Sequence, residues 1–162
     1  MHKSVLVAVD LTDAFTRVPH DALLRAAARI GLPKRFIAWL AGWLRDRTFE
    51  VWIAGEGDQR KMIFVVSRGV PQGSILGPIL FILLADSLLH ELDNKQAQAA
   101  MHGSVITRMA KAMYADDLSL LIASPFLIEA VRAATHWLRT VMRWATLNDI
   151  PISAKTEAVA LT

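Results

Sequence analysis

The chain of 162 residues contains no cysteine, which removes disulfides, thiolate metal sites and cysteine nucleophiles at once. That fits a reducing compartment, and an intracellular location, nuclear or cytoplasmic, is expected. A secretory leader is not legible either: MHKSVLVAVD offers too short an apolar stretch before its aspartate. The longest apolar run, Ile75 to Leu89, is interrupted by Gly77, Pro78 and Asp86. It falls short of the roughly 18 unbroken apolar residues that a membrane span needs, so it reads as a buried helix and no membrane association is expected. Internal repeats, low-complexity tracts and Gly/Ser linkers are missing too, which leaves one domain without a visible boundary.

What is present suits a globular fold: 54% hydrophobic and 20% charged residues, enough for a core. The net charge of +3 permits a polyanionic partner without demanding one. Ser4 to Val9 reads as a buried strand. Pro19 and Asp21 open a helix on which Leu23, Leu24, Ala27 and Ile30 share a face, and Gly31 closes it. Pro33 starts a second helix with Phe36, Ile37, Leu40 and Leu44 on one stripe. Trp39 and Trp43 lie to its side, where a core or interface role is favoured over base stacking. Phe49–Ala54 and Met62–Val66 look like two strands joined by a turn over Gly55–Asp58.

Gly77-Pro78 begins the apolar helix, which should run to about Leu92, with a loop from Asp93 to Gly103. Val105–Tyr114 and Leu118–Ala123 flank Ala115-Asp116-Asp117, suggesting a hairpin with carboxylates at its tip. After Pro125 a long helix is expected to face the core with Ile128, Val131, Thr135, Leu138, Met142 and Ala145. Ile150–Ser153 and Ala158–Leu161 would be short closing strands.

Three aspartates stand out. Asp10 ends a buried strand, where a charge needs a partner or a metal. Asp116 and Asp117 are adjacent between apolar strands and repel each other. A divalent cation would relieve both problems, and hard oxygen ligands select Mg²⁺ or Mn²⁺. By spacing alone the signal is weak, since Asp-Asp pairs are common in ordinary turns.

The surrounding residues carry more. Ala8-Val9-Asp10-Leu11-Thr12-Asp13-Ala14-Phe15 resembles motif A of reverse transcriptases. Ser67-Arg68-Gly69-Val70-Pro71-Gln72-Gly73-Ser74, continuing through Gly77-Pro78 to Phe81, is similar to motif B. Tyr114-Ala115-Asp116-Asp117 is similar to motif C, and Ile152 to Glu157 to the lysine segment of motif D. The motifs stand in family order and span nearly the whole chain, with non-LTR (LINE-type) retrotransposons as the nearest group.

This resemblance implies an α+β fold, the ferredoxin-like palm, an antiparallel sheet backed by helices over residues 1–162. Fingers and thumb would be largely missing, as in a fragment of a longer polymerase. It implies catalytic and metal-binding roles for Asp10, Asp116 and Asp117 around two Mg²⁺ ions, with the Leu11 backbone as a further ligand. Phe15 would occupy the steric-gate position, beside its alternative as a packed core aromatic. Gln72 and Gly73 would lie along the template and nascent pair, and Lys155 would approach the triphosphate, where it is otherwise an exposed lysine. The partners implied are an RNA template, a DNA primer and dNTP. Thr16 departs from the family, which often has aspartate there. Two other functions stay open: a catalytically silent retroelement remnant, and a nucleic-acid-binding scaffold. No feature fixes an oligomeric state.

Overall fold

The protein is described from a computed structural model covering residues 2–55, 58–101 and 108–161. Its elements run β1 (Lys3–Asp10), α1 (Ala14–Arg17), α2 (His20–Arg29), α3 (Lys34–Leu44), β2 (Arg47–Gly55), β3 (Asp58–Val66), α4 (Leu76–Met101), β4 (Arg108–Tyr114), β5 (Asp117–Ser124), α5 (Leu127–Asn148) and β6 (Glu157–Leu161).

Four strands form one antiparallel sheet in the order β4-β5-β1-β6. With the helices between them the chain reads β1-α4-β4-β5-α5-β6, the β-α-β-β-α-β arrangement of ferredoxin-like domains. This is the expected α+β architecture. Period-2 alternation sets the two faces of the sheet. Val5, Val7 and Val9 are buried opposite Ile122, Leu120 and Leu118, and α4 and α5 cover them with Phe81, Leu84, Leu88, Trp137 and Val141. The other face carries Leu6, Ala8, Asp10, Ser119 and Leu121 and is open.

Helices α1 to α3 and the β2–β3 ribbon are inserted between β1 and α4. On one face of that ribbon Phe49, Val51, Ile53, Met62 and Phe64 are all exposed, with the Phe49 and Phe64 rings stacked at 5.0 Å. Both strands are longer than the sequence suggests, and the turn residues 56 and 57 lie outside the described residues.

Several expectations need correction. Helix α4 does not stop at Leu92 but continues to Met101, because Asp93–Met101 is rich in Ala and Gln and holds neither Gly nor Pro. Asp93 on it meets Lys111 of β4 in an ion pair. The rest of the expected loop, and 105–107 of the expected strand, lie outside the described residues.

Helix α5 turns a different face inward. Ala130, Ala133, Ala134, Trp137, Val141 and Trp144 are buried; of the expected stripe Ala145 is buried and Leu138 packs on the core, whereas Ile128, Val131 and Met142 are 57%, 42% and 52% exposed. Both stripes have helical period. The one with small residues wins because a helix lies close on a sheet where alanines let the backbone approach. In α2 the buried set is Ala22, Leu23, Ala26 and Ala27, and Ile30 is exposed. In α3 Leu40 and Leu44 are buried, but Phe36 and Trp39 are exposed, so neither ring is core. Ile150–Ser153 is no strand; it makes a single bridge, Leu11 to Ile152.

Candidate active site

β1 ends at Asp10 and β5 begins at Asp117, and the two are direct partners in the ladder. Opposed residues of an antiparallel pair share a face, with Cβ atoms about 4.5–5.5 Å apart. Both carboxylates therefore stand on the open face, beyond Ala8 and Ser119. Asp116 is half-buried in the two-residue turn that joins β4 to β5. Among the described residues, none of the three carboxylates has a hydrogen-bond or ion-pair partner. Nor do any three His, Asp or Glu side chains among the described residues gather as a metal site by themselves. The structure thus pairs Asp10 with Asp117, whereas Asp116, in the turn before Asp117, does not line the cavity that those two share.

That turn is strained. Ala115 has φ 51°, a left-handed conformation that costs an L-residue with a Cβ roughly 1–2 kcal/mol. Glycine would remove the strain but adds about 0.5–1 kcal/mol of unfolded-state entropy. Ala115→Gly is therefore expected to stabilise the domain by at most about 1 kcal/mol in urea titrations. A loss of stability would show that the strain is not there.

The segment after α5 closes onto the end of β1. Asp149, with φ 51°, turns the chain, and Thr12 N–H then donates to Pro151 O at 2.8 Å. Ser153 N–H donates to Asp10 O at 2.8 Å, and Asp10 N–H meets Thr156 Oγ1 at 3.4 Å. These bonds flank Leu11, which is buried, and leave its carbonyl out of the bridge. The same turn brings exposed Lys155 to a cavity of about 470 Å³ lined also by Ala8, Asp10, Asp117 and Ser119.

Phe15 is half-buried, and its ring stacks on the fully buried Phe81 of α4, centroids 4.7 Å apart and planes at 28°. It does not line the cavity of the aspartates. Val70 N–H donates to Phe15 O and Gly69 N–H to Val18 O, so the motif B segment is stitched to the residues after motif A. Gln72 lines a second cavity, of about 590 Å³, at the foot of the β2–β3 ribbon. Gly73 has φ 78° with open space where a Cβ would sit, so its backbone conformation rather than crowding calls for glycine.

Three residues here make contacts that the motifs did not assign. Gly69, at φ 81°, lies so close to Thr16 that a Cβ would fall 2.5 Å from its carbonyl oxygen. His20 Nε2–H donates to Gly69 O at 2.9 Å, and since a carbonyl only accepts, that nitrogen carries the proton. Arg68 pairs with Asp149, linking motif B to the turn before Lys155. The hydrogen bond from Arg68, and then its charge, hold the Asp149 carboxyl below the ordinary range. A depressed carboxylate stabilises the fold at neutral pH and loses that effect as pH falls through the acid range below its ordinary value. Histidine at position 20, one residue after a proline, gave no metal spacing and hence no signal.

A four-stranded sheet in this order, open on one face and backed by helices on the other, is a polymerase-palm type of fold. It is shared with telomerase from Candida tropicalis at a TM-score of 0.68 and 15% identity, covering 98% of this chain and 31% of that one. The family model described as reverse transcriptase (RNA-dependent DNA polymerase) matches residues 1–160, and the chain belongs to that family. A probable RNA-directed DNA polymerase from transposon BS of Drosophila melanogaster is 32% identical over 138 residues, 85% of this chain. The RNA-directed DNA polymerase from the mobile element jockey of the same fly is 29% identical over 91% of the chain. A retrovirus-related Pol polyprotein from the type-1 retrotransposable element R2 of Popillia japonica is 30% identical over 93%. These are proteins of non-LTR retrotransposons, as the motifs suggested. The chain spans 14%, 15% and 20% of their respective lengths. Among the described residues, no helix is long and apolar enough to cross a membrane.

Proposed function

We propose that residues 1–162 are the palm of a longer RNA-directed DNA polymerase. In this reading a primer 3′-hydroxyl attacks the α-phosphate of a dNTP on an RNA template, and pyrophosphate leaves. The observation that carries it is the pairing of Asp10 with Asp117 on the open face, at a cavity that Lys155 also lines.

Asp10, Asp116 and Asp117, with the Leu11 carbonyl, would hold two Mg²⁺ (or Mn²⁺) ions. The donor set suits such ions: all oxygen, and carboxylates without a cationic partner among the described residues. Bound there, such ions activate a hydroxyl and stabilise a leaving oxygen.

The remaining roles belong to side chains. Lys155 brings a positive charge toward the triphosphate. Phe15, held flat by Phe81, presents an apolar ring with no hydrogen-bonding partner for a sugar 2′-OH, and so favours deoxynucleotides. Gln72 and Gly73 lie toward the template and the nascent pair.

Thermal melts test the ion site. Opposed like charges destabilise a strand pair, so a divalent ion should stabilise this one. At 100-fold excess over its dissociation constant a ligand adds about 2.7 kcal/mol. The expected result is a higher melting temperature in Mg²⁺ or Mn²⁺ than in Na⁺ of equal ionic strength, lost in Asp116→Asn. Identical curves in all three salts would remove the site.

A further inference from the structure

Helix α3 buries Leu40 and Leu44 and turns Phe36 and Trp39 outward, 39% and 50% exposed, while Trp43 is half-buried with one side against the core. Phe36, Trp39 and Trp43 recur at three- and four-residue steps, which places them along one stripe of the helix. Their rings are in file. Phe36 and Trp39 have centroids 5.4 Å apart; Trp39 and Trp43 are 6.3 Å apart with planes at 19°. The guanidinium of Arg47 continues the row, 4.9 Å over the Trp43 ring.

An apolar stripe alone would suit a protein partner. The charge around it argues for another. Between Pro33 and Phe49 the chain carries Lys34, Arg35, Arg45 and Arg47 against a single acid, Asp46. Lys34, Arg35 and Arg45 are exposed and, among the described residues, have no ion-pair partner. Arg35 lies one turn before Trp39 on the same side of the helix. Aromatic rings beside unpaired cations are what a single strand needs, since bases stack on the rings and phosphates meet the charges. The row also has a direction. Arg47 lines the 590 Å³ cavity at the foot of the ribbon, together with Phe49, Arg68 and Gln72.

We propose that the outer face of α3, from Arg35 through Trp39 and Trp43 to Arg47, is a track for single-stranded nucleic acid that delivers template toward Gln72. Only its destination rests on the proposed role of Gln72; binding along the track does not need the carboxylates. Stacking of this kind tolerates any sequence, and a duplex, whose bases are already stacked, has little to offer the rings.

Fluorescence anisotropy with labelled single strands, one of oligo-uridine and one of oligo-thymidine, and a duplex of equal length tests this on residues 1–162. Without divalent metal, single strands should bind more tightly than duplex. Trp39→Ala should weaken them by about fivefold or more while Trp39→Phe keeps most of the affinity. Arg35→Gln should flatten the salt dependence by about 0.7 in log–log slope, one phosphate contact's worth. A tighter uridine strand names RNA as the occupant and a tighter thymidine strand names DNA; either supports the track. Single-strand affinity unchanged in both folded variants, Trp39→Ala and Arg35→Gln, overturns it. So does a Trp39→Ala protein that loses only self-association, which would mark the stripe as a protein interface. The binding assay contains no divalent metal and the melts in Mg²⁺ contain no nucleic acid, so either proposal can fail without the other.

Discussion

Gly69→Ala is expected to destabilise the domain by about 3 kcal/mol or more, a fall of roughly 6–12 °C in melting temperature for a chain of this size. Two costs coincide there. At φ 81° a Cβ is strained, and the same Cβ would meet Thr16 backbone atoms at 2.5 and 2.9 Å. Thr16 has little freedom to retreat, because the bonds Val70 N–H to Phe15 O and Gly69 N–H to Val18 O hold the chain on both sides of it. Two other glycines separate the contributions. Gly73 has the positive φ but open space, so Gly73→Ala should cost about 1 kcal/mol. Gly42 lies inside α3 with nothing near, and Gly42→Ala should stabilise by about 0.5–1 kcal/mol through helix propensity. Urea titrations of the three variants give the ranking. Equal losses at Gly69 and Gly73 would mean that the close approach to Thr16 contributes nothing.

Asp117→Asn, placed in a longer polymerase that contains this segment, should reduce primer extension on an RNA template by about three decades. Losing several kcal/mol of transition-state charge stabilisation has that effect at 1.36 kcal/mol per decade. Asp10→Asn should match it, because the two stand as partners in one ladder. Asparagine keeps the shape of the side chain and relieves the repulsion across the pair, so both variants should melt at or above the parent in Na⁺. Extension within tenfold of the parent would take the chemistry away from this pair and favour a nucleic-acid-binding scaffold. Residues 1–162 alone are expected not to extend a primer. Lys155 is the cation that shares the cavity with the aspartates, and one cation is a weak grip on a triphosphate. Extension by this segment that Asp117→Asn abolishes would overturn that expectation.

The motifs marked the candidate residues because they are local. Asp10, Gln72, Asp116 and Lys155 each sit in a short stretch whose neighbours identify it, and strand alternation then says which way Asp10 points. The structure adds what spacing cannot: Asp10 and Asp117 are opposed, Leu11 keeps its carbonyl out of a bridge, and Phe15 lies on Phe81. The helix faces were less legible. Large aliphatic residues drew α5 toward Ile128 and Met142, while the sheet accepts Ala130, Ala133 and Ala134, whose small size leaves little pattern to read. The α4 boundary failed for a related reason, since Asp93 and Asn94 look like a break yet precede a stretch of good helix formers. Contacts between distant loops, such as His20 with Gly69 and Arg68 with Asp149, carry no sequence period at all.

The strand order also bears on how the protein is made. Within this segment β1 precedes both its neighbours by a long stretch of chain: Asp10 waits for Asp117, and Ser4 waits for Leu161. Only the β2–β3 ribbon and the β4–β5 hairpin can close soon after emerging from the ribosome. Pairing so remote in sequence slows folding and leaves apolar strands uncovered meanwhile. Val5, Val7 and Val9 would stay without a partner until β5 has been made, alongside the exposed rings of the ribbon. Chaperone supply and growth temperature should therefore govern the yield of native protein more strongly than its final stability does.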